Sequence, residues 1–448
     1  MPDVFRRPSA PVFGALILLL LLAGPGAASA RAEVTNAASP HEEISGALTL
    51  HESLSLAVLH NPELAIYSQE IRAREAEALQ AGLRRNPLLS FEAENVFGSG
   101  PFSGTDAAES TLSISQTLEL GKKRSLRRHL AEAETNIAQN EFALAKTDLL
   151  ARTTDAFIAV LEAQERLRLA EEMGDLAKRV LGTVEERVAA GRGAETEAIR
   201  PRIQLREQQV ARDKARGHLV ATRGALAALM GREGADSGPV IGDLSRLSPL
   251  PDQAELERRL TESPQFVRRI AESERRRRAV HLEEARRIPD LDLGIGARYL
   301  RESDDTALVL GVSVPLPLFD RNQGAIAAAR SRQTQACADE RSALLQAKAA
   351  LVAGWQEINS ARAEAEALRD DIIPASRQAM ESAEYGYRAG KFGILDVLDA
   401  QRTLVEAQES YLDALTAFHR AASQLERLLG SPLSKTSHNP RLSATVKE

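Results

Sequence analysis

The sequence predicts a mainly α-helical chain with a membrane β-barrel contribution, built as two helix–strand–strand–helix–helix repeats. Three observations predict it. The first is a hairpin tip that occurs twice, 199 positions apart: Ala190-Gly191 match Ala389-Gly390, Glu197 matches Asp396, and Gly231 matches Gly430. Leu205, Glu207 and Gln209 likewise match Leu404, Glu406 and Gln408. Repetition on this scale decides the fold class before local propensities do. The second is a run of nearly seventy residues of helical pattern in which Ile137, Leu144, Ala151 and Ile158 recur every seven, a coiled-coil seam. The third is a set of segments that alternate apolar and polar side chains, each about the length a tilted strand needs to cross a bilayer.

The elements come in order along the chain. Arg6 and Arg7, an apolar run over 12–23 and Ala28-Ser29-Ala30 read as a signal peptide cleaved near Ala30. The cleavage site carries no cysteine, so the mature chain is not expected to be a lipoprotein. Residues 31–48 form a polar tail. The first repeat spans 49–231 and opens with a helix over 50–85, broken at Asn61-Pro62. Strands are expected next, at about 88–97 and 110–120. In the second, Leu112, Ile114, Leu118 and Leu120 fall on one face, and Thr111, Ser113, Ser115, Thr117 and Glu119 on the other. A helix over 122–190 would run about 100 Å. A turn at 191–193 leads to a helix ending at Gly231, a good C-terminal stop.

Residues 232–254 are a linker, and the second repeat spans 255–430. Ser263-Pro264 and Pro289 match Asn61-Pro62 and Pro87. Strands are expected at about 290–300 and 307–315, with a long helix to about 389 and a last helix over 394–429. Pro374, and Gly174-Asp175 at the matching height of the first repeat, suggest a kink in both long helices. Residues 431–448 are expected to be disordered.

Four amphipathic strands cannot close a barrel, and an open edge cannot face lipid. Three chains would give twelve strands, within the range of outer-membrane barrels. The helical hairpins also leave their seams uncovered, so a shared, hollow assembly satisfies both needs. Only 4% of the residues are aromatic, and the formal charge of −6 gives no hint of a nucleic-acid partner. The eight histidines show no zinc-type spacing, and there is no phosphate loop or nucleophile elbow. No catalytic, cofactor or metal site is therefore expected, and the chain is not read as an enzyme. The lone Cys337 is read as a small packed side chain and the Arg275–Arg278 run as a solvated face. The cluster at 122–128 is read as a helix start, solvated or lying against lipid headgroups.

The stretch GYRAGKFGILDVLDAQ, with the repeated tip, resembles the TolC-like outer-membrane factors of tripartite efflux systems, over about residues 45–430. SISQTLELGKKRSLRRHLAEAE and VPLPLFDRNQGAIAAARS resemble the heavy-metal, CzcC-like RND branch. The resemblance implies a homotrimer in the outer membrane: a 12-stranded β-barrel continued by a 12-helix periplasmic α-barrel tunnel. Its implied partners are a periplasmic adaptor (membrane fusion protein), an inner-membrane RND pump and outer-membrane lipid. It implies that Asp396 and Asp399 ring the periplasmic aperture, with Glu197 beside them, and that Tyr387 helps latch neighbouring hairpins. Phe392 stands where some members carry a latch arginine. The turns rest on Gly191, Gly193, Gly390 and Gly393. Read alone, Asp396 and Asp399 are equally the acidic residues that favour a helix N-terminus. The expected function is an exit duct for divalent heavy-metal cations. Drugs or other small molecules are an alternative cargo, and a structural trimeric coiled-coil envelope protein is an alternative of another class.

Overall fold

The computed structural model describes residues 47–232 and 238–433. The expected signal peptide, residues 31–46 of the tail and residues 434–448 lie outside the described residues. The helices α1 (Leu50–His60) and α2 (Pro62–Ala81) divide at the expected break, and α2 ends at Ala81, before the expected 85. Thr49 and Glu52 form a reciprocal capping box at the start of α1. Asn61 then caps α2 by accepting from the Glu63 amide at 2.9 Å, and Pro62 sits in the first turn, where its missing N–H costs nothing. Beyond α3 (Lys123–Ala189) and α4 (Ile199–Leu229), the second repeat copies the device with α5 (Gln253–Leu260), the Ser263 cap and α6 (Pro264–Ala285).

Strands β1 (Leu88–Glu94), β2 (Glu109–Leu118), β3 (Leu291–Leu300) and β4 (Asp305–Ser313) form one antiparallel sheet in that order. β1 is shorter than expected because Asn95 and Phe97 take left-handed backbone (φ 59° and 55°), which no strand continues. The register sets Leu89, Ile114, Ile295 and Leu310 side by side, and Phe91, Leu112, Ala297 and Leu308 in the next row of the same face. Most of these side chains are exposed. The opposite face carries Glu92, Thr111 and Arg298, then Glu94 and Glu109. One oily exposed face, one polar face and two open edges, β1 and β4, are what a strip of a larger closed sheet requires.

The long helix α3 packs against α2, α4, α6 and α9 (Ile394–Leu429). Its buried residues run from Ala131, Ala138 and Ala145 to Leu149, Phe157 and Val160; of the expected seam, Ala151 and Ile158 are buried, and Ile137 and Leu144 are half-buried. In the second repeat, α7 (Gln323–Ala367) and α8 (Ile373–Arg388) are joined by a π turn at Leu368–Ile372. The expected pair of kinks is therefore half correct. Pro374 lacks an amide and crowds the carbonyl four residues back, which the wider turn relieves. Gly174 and Asp175 keep their amides, so α3 runs unbroken through them.

Residues 238–252 are not a free linker. Leu48 and Val240 form a β-bridge, and the Gln164 side-chain amide both donates to and accepts from the Val240 backbone at 3.0 Å. His419 bonds the Leu244 carbonyl at 2.9 Å. Three further expectations change. Arg275 pairs with Glu134 of α3, and Arg278 donates to the His129 carbonyl at 2.8 Å, so this run bridges helices instead of facing water. In the 122–128 cluster, Lys123 and Arg127 are held by Asp290 and Glu119, while Lys122, Arg124 and Arg128 remain exposed. Cys337 is exposed, with its Sγ 3.8 Å from the Ser273 hydroxyl of α6.

Candidate functional site: the paired hairpin tips

Both hairpins turn with the same backbone. Ala190 and Ala389 end the incoming helices, and Gly191 and Gly390 come next in the left-handed region (φ 68° and 74°). The Arg192 amide then donates to the Arg187 carbonyl at 2.9 Å, as Lys391 does to Gly386 at 2.8 Å. The Gly191 and Gly390 amides donate to Val188 and Tyr387 at 3.0 Å. This pair of bonds is a Schellman stop, and glycine takes its left-handed position without a Cβ clash. Gly193 precedes the short 3₁₀ turn Glu195–Ala198, and Gly393 is the N-cap of α9.

The turns repeat, but the side chains above them do not. At the matching position, α3 carries Arg187 and α8 carries Gly386. Phe392 folds over Gly386 so closely that a Cβ there would lie 2.2 Å from its ring. Arg187 reaches across, with its guanidinium 4.3 Å from the centroid of the Tyr387 ring. It also donates to the carbonyls of Tyr387 and Arg192. The Tyr387 hydroxyl donates to Glu197 at 3.2 Å. Tyr387 is only 3% exposed and belongs to an apolar cluster with Val184, Met380, Val397 and Leu404. Burial pushes its phenol up, Glu197 adds to this, and Arg187 opposes it. The phenol therefore stays neutral and donating at neutral pH.

Arg187, Tyr387 and Glu197 thus join the two hairpins of one chain. The sequence reading set Tyr387 and Glu197 at the tip between neighbouring hairpins, and it missed Arg187. The available signal was the break in the repeat, arginine in one copy and glycine in the other. Asp396 and Asp399 are both exposed. Asp396 also closes its own helix, accepting from the Gly393 amide at 2.8 Å. The dipole role and an outward charge are therefore compatible in one side chain. Among the described residues, no group of three or more metal-ligating side chains stands together, and no helix is long and apolar enough to cross a membrane.

Two coupled helical hairpins with a strip of amphipathic sheet at their other end define a helical-hairpin protein that carries sheet of the outer-membrane type. The comparisons agree. The outer membrane efflux protein family profile matches residues 53–232 and 256–431, and the chain belongs to that family. It is 34% identical to the cobalt-zinc-cadmium resistance protein CzcC of Cupriavidus metallidurans, over 84% of this chain and 88% of that one. It is 29% identical to the nickel-cobalt-cadmium resistance protein NccC of Alcaligenes xylosoxydans xylosoxydans, over 64% and 65%. In fold it is similar to the transmembrane channel protein CusC (TM-score 0.73, 17% identity, 85% of this chain and 92% of that one). It is also similar to the outer membrane protein VceC of Vibrio cholerae (TM-score 0.72, 20% identity, 86% and 97%).

Proposed function

We propose that the chain is the outer-membrane exit duct of a tripartite RND efflux system and passively exports divalent heavy-metal cations from periplasm to outside. Three copies would close twelve strands into one barrel and align their hairpins into one tunnel. The observation that carries this reading is the unfinished sheet. Its exposed apolar face suits lipid, and its β1 and β4 edges suit the next copy. The relatives' names, CzcC and NccC, support metal cations as cargo. With no catalytic centre assigned, energy would come from an inner-membrane pump coupled through a periplasmic adaptor.

At the tip, Asp396 and Asp399 from three copies would place six carboxylates near one axis, attracting cations and repelling anions. The Arg187–Tyr387–Glu197 contact would hold the two hairpins of each copy together until an adaptor separates them. A strain lacking this protein should lose tolerance to zinc, cobalt, nickel or cadmium and keep its tolerance to lipophilic drugs. Loss of drug tolerance alone would overturn the metal assignment. In planar bilayers, the Asp396→Asn/Asp399→Asn protein should lose cation preference and divalent block, and unchanged selectivity would overturn the aperture role.

A further inference from the structure

Each repeat turns from a strand into a long helix through an elbow, and the two elbows share a left-handed residue before the helix but not a chemistry. At the first, Lys122 (φ 61°) precedes α3; at the second, Asn322 (φ 59°) precedes α7. The first elbow is covered from within the chain by the segment that leads into β3. Ile288 presses on Gly121, where a Cβ would lie 2.7 Å from its side chain. Asp290 accepts from the Leu120 amide at 3.2 Å and from Lys123 Nζ at 2.6 Å. Glu119 accepts two bonds from Arg127, at 2.5 and 2.9 Å.

At the second elbow Asn322 donates to the carbonyl and the carboxylate of Glu283 on α6, both at 2.8 Å, but the residues before it have no such cover. Leu316 is 74% exposed, Leu318 65% and Phe319 90%. The repeat matches Glu119 to Phe319, Lys123 to Gln323, Arg127 to Ala327 and Asp290 to Leu88. Each of these four charged groups is thus uncharged in the second. Leu88 itself is exposed, at the start of the free edge strand β1, while the second elbow lies just past the free edge strand β4.

We propose that the second elbow is closed by another copy of this chain. The segment leading into β1 of the next copy would seat on Leu316, Leu318 and Phe319 as the segment into β3 seats on the first elbow. The assembly would then alternate ionic elbows inside each chain with apolar elbows between chains. This rests on the trimeric reading above and adds the contact that selects the partner. The internal elbow supplies the occupant: the covering segment is the one preceding the neighbouring strand, and the strand missing beside β4 is a β1.

The experiment is a charge transplant in the full-length protein, read as the trimer fraction extracted in mild detergent. Leu88→Asp should lower that fraction about tenfold, because it places an unpaired carboxylate in an apolar contact. Leu88→Asp with Gln323→Lys should restore it to within about twofold, since the new ammonium of one copy would meet the new carboxylate of the next as Lys123 meets Asp290. A Leu88→Asp protein that stays fully trimeric would overturn the proposal and leave the elbow to lipid. A double variant no better than the single would also overturn it. If the wild type itself were monomeric, the trimeric reading would fall with it.

Discussion

At the scale of single residues, the tip is held by one buried phenol. A hydrogen bond to a carboxylate contributes about 1.5–3 kcal/mol, and a partly desolvated cation–π contact about 0.5–2. Tyr387→Phe keeps the ring under Arg187 and removes only the hydroxyl bond to Glu197. It should raise the open probability of single channels severalfold with little loss of stability; an unchanged gating record would count against the latch. The phenol's raised pKa makes the contact insensitive to pH between about 6 and 9. It should weaken only above about 10, where an unfolded or open state releases the proton first. His419 behaves in the opposite sense. Burial lowers its pKa, so below about 6.5 the unfolded chain binds the extra proton and stability falls. Urea titrations of wild type and His419→Gln should diverge as pH drops from 7 to 5, with wild type losing more; parallel curves would contradict the burial account.

At the scale of elements, much of the chain was legible because its punctuation is chemical. Asn61-Pro62 and Ser263-Pro264 start helices where a proline can only stand at the beginning, and Gly231 and Gly430 (φ 72° and 69°) stop them. The strands were legible because one row of side chains is apolar. Arg187 was not, since its partner lies 200 positions away and no local pattern reports a contact across two hairpins. The absent kink in α3 was misjudged for a different reason. Gly174 and Pro374 both lower helix propensity, but only proline removes a donor and clashes. A π turn absorbs one extra residue without rotating the helix beyond it. Deleting Asp370 together with Pro374→Ala should close it and leave stability within about 1 kcal/mol of wild type. Deleting the exposed Gln378 instead should rotate the end of α8 by roughly 100° and carry Tyr387 away from Glu197. Equal melting temperatures for the two deletions would argue that the turn does not set the register.

At the scale of the whole molecule, the account is one of incompleteness. The sheet ends on two open edges, its apolar face is bare, and one side of α4 exposes Ile199, Ile203, Val210 and Val220. Apolar surface of this extent is stable only against lipid or another protein. The internal repeat shows how one half of the chain covers the other, and a ring of copies would extend the same contacts without a new design. The mass of the detergent-solubilised particle, measured by native mass spectrometry after extraction from outer membranes, tests this most directly. A particle of three chains that inserts into planar bilayers as one conducting unit is the predicted result. A single chain, soluble without detergent and inert toward bilayers, would contradict it.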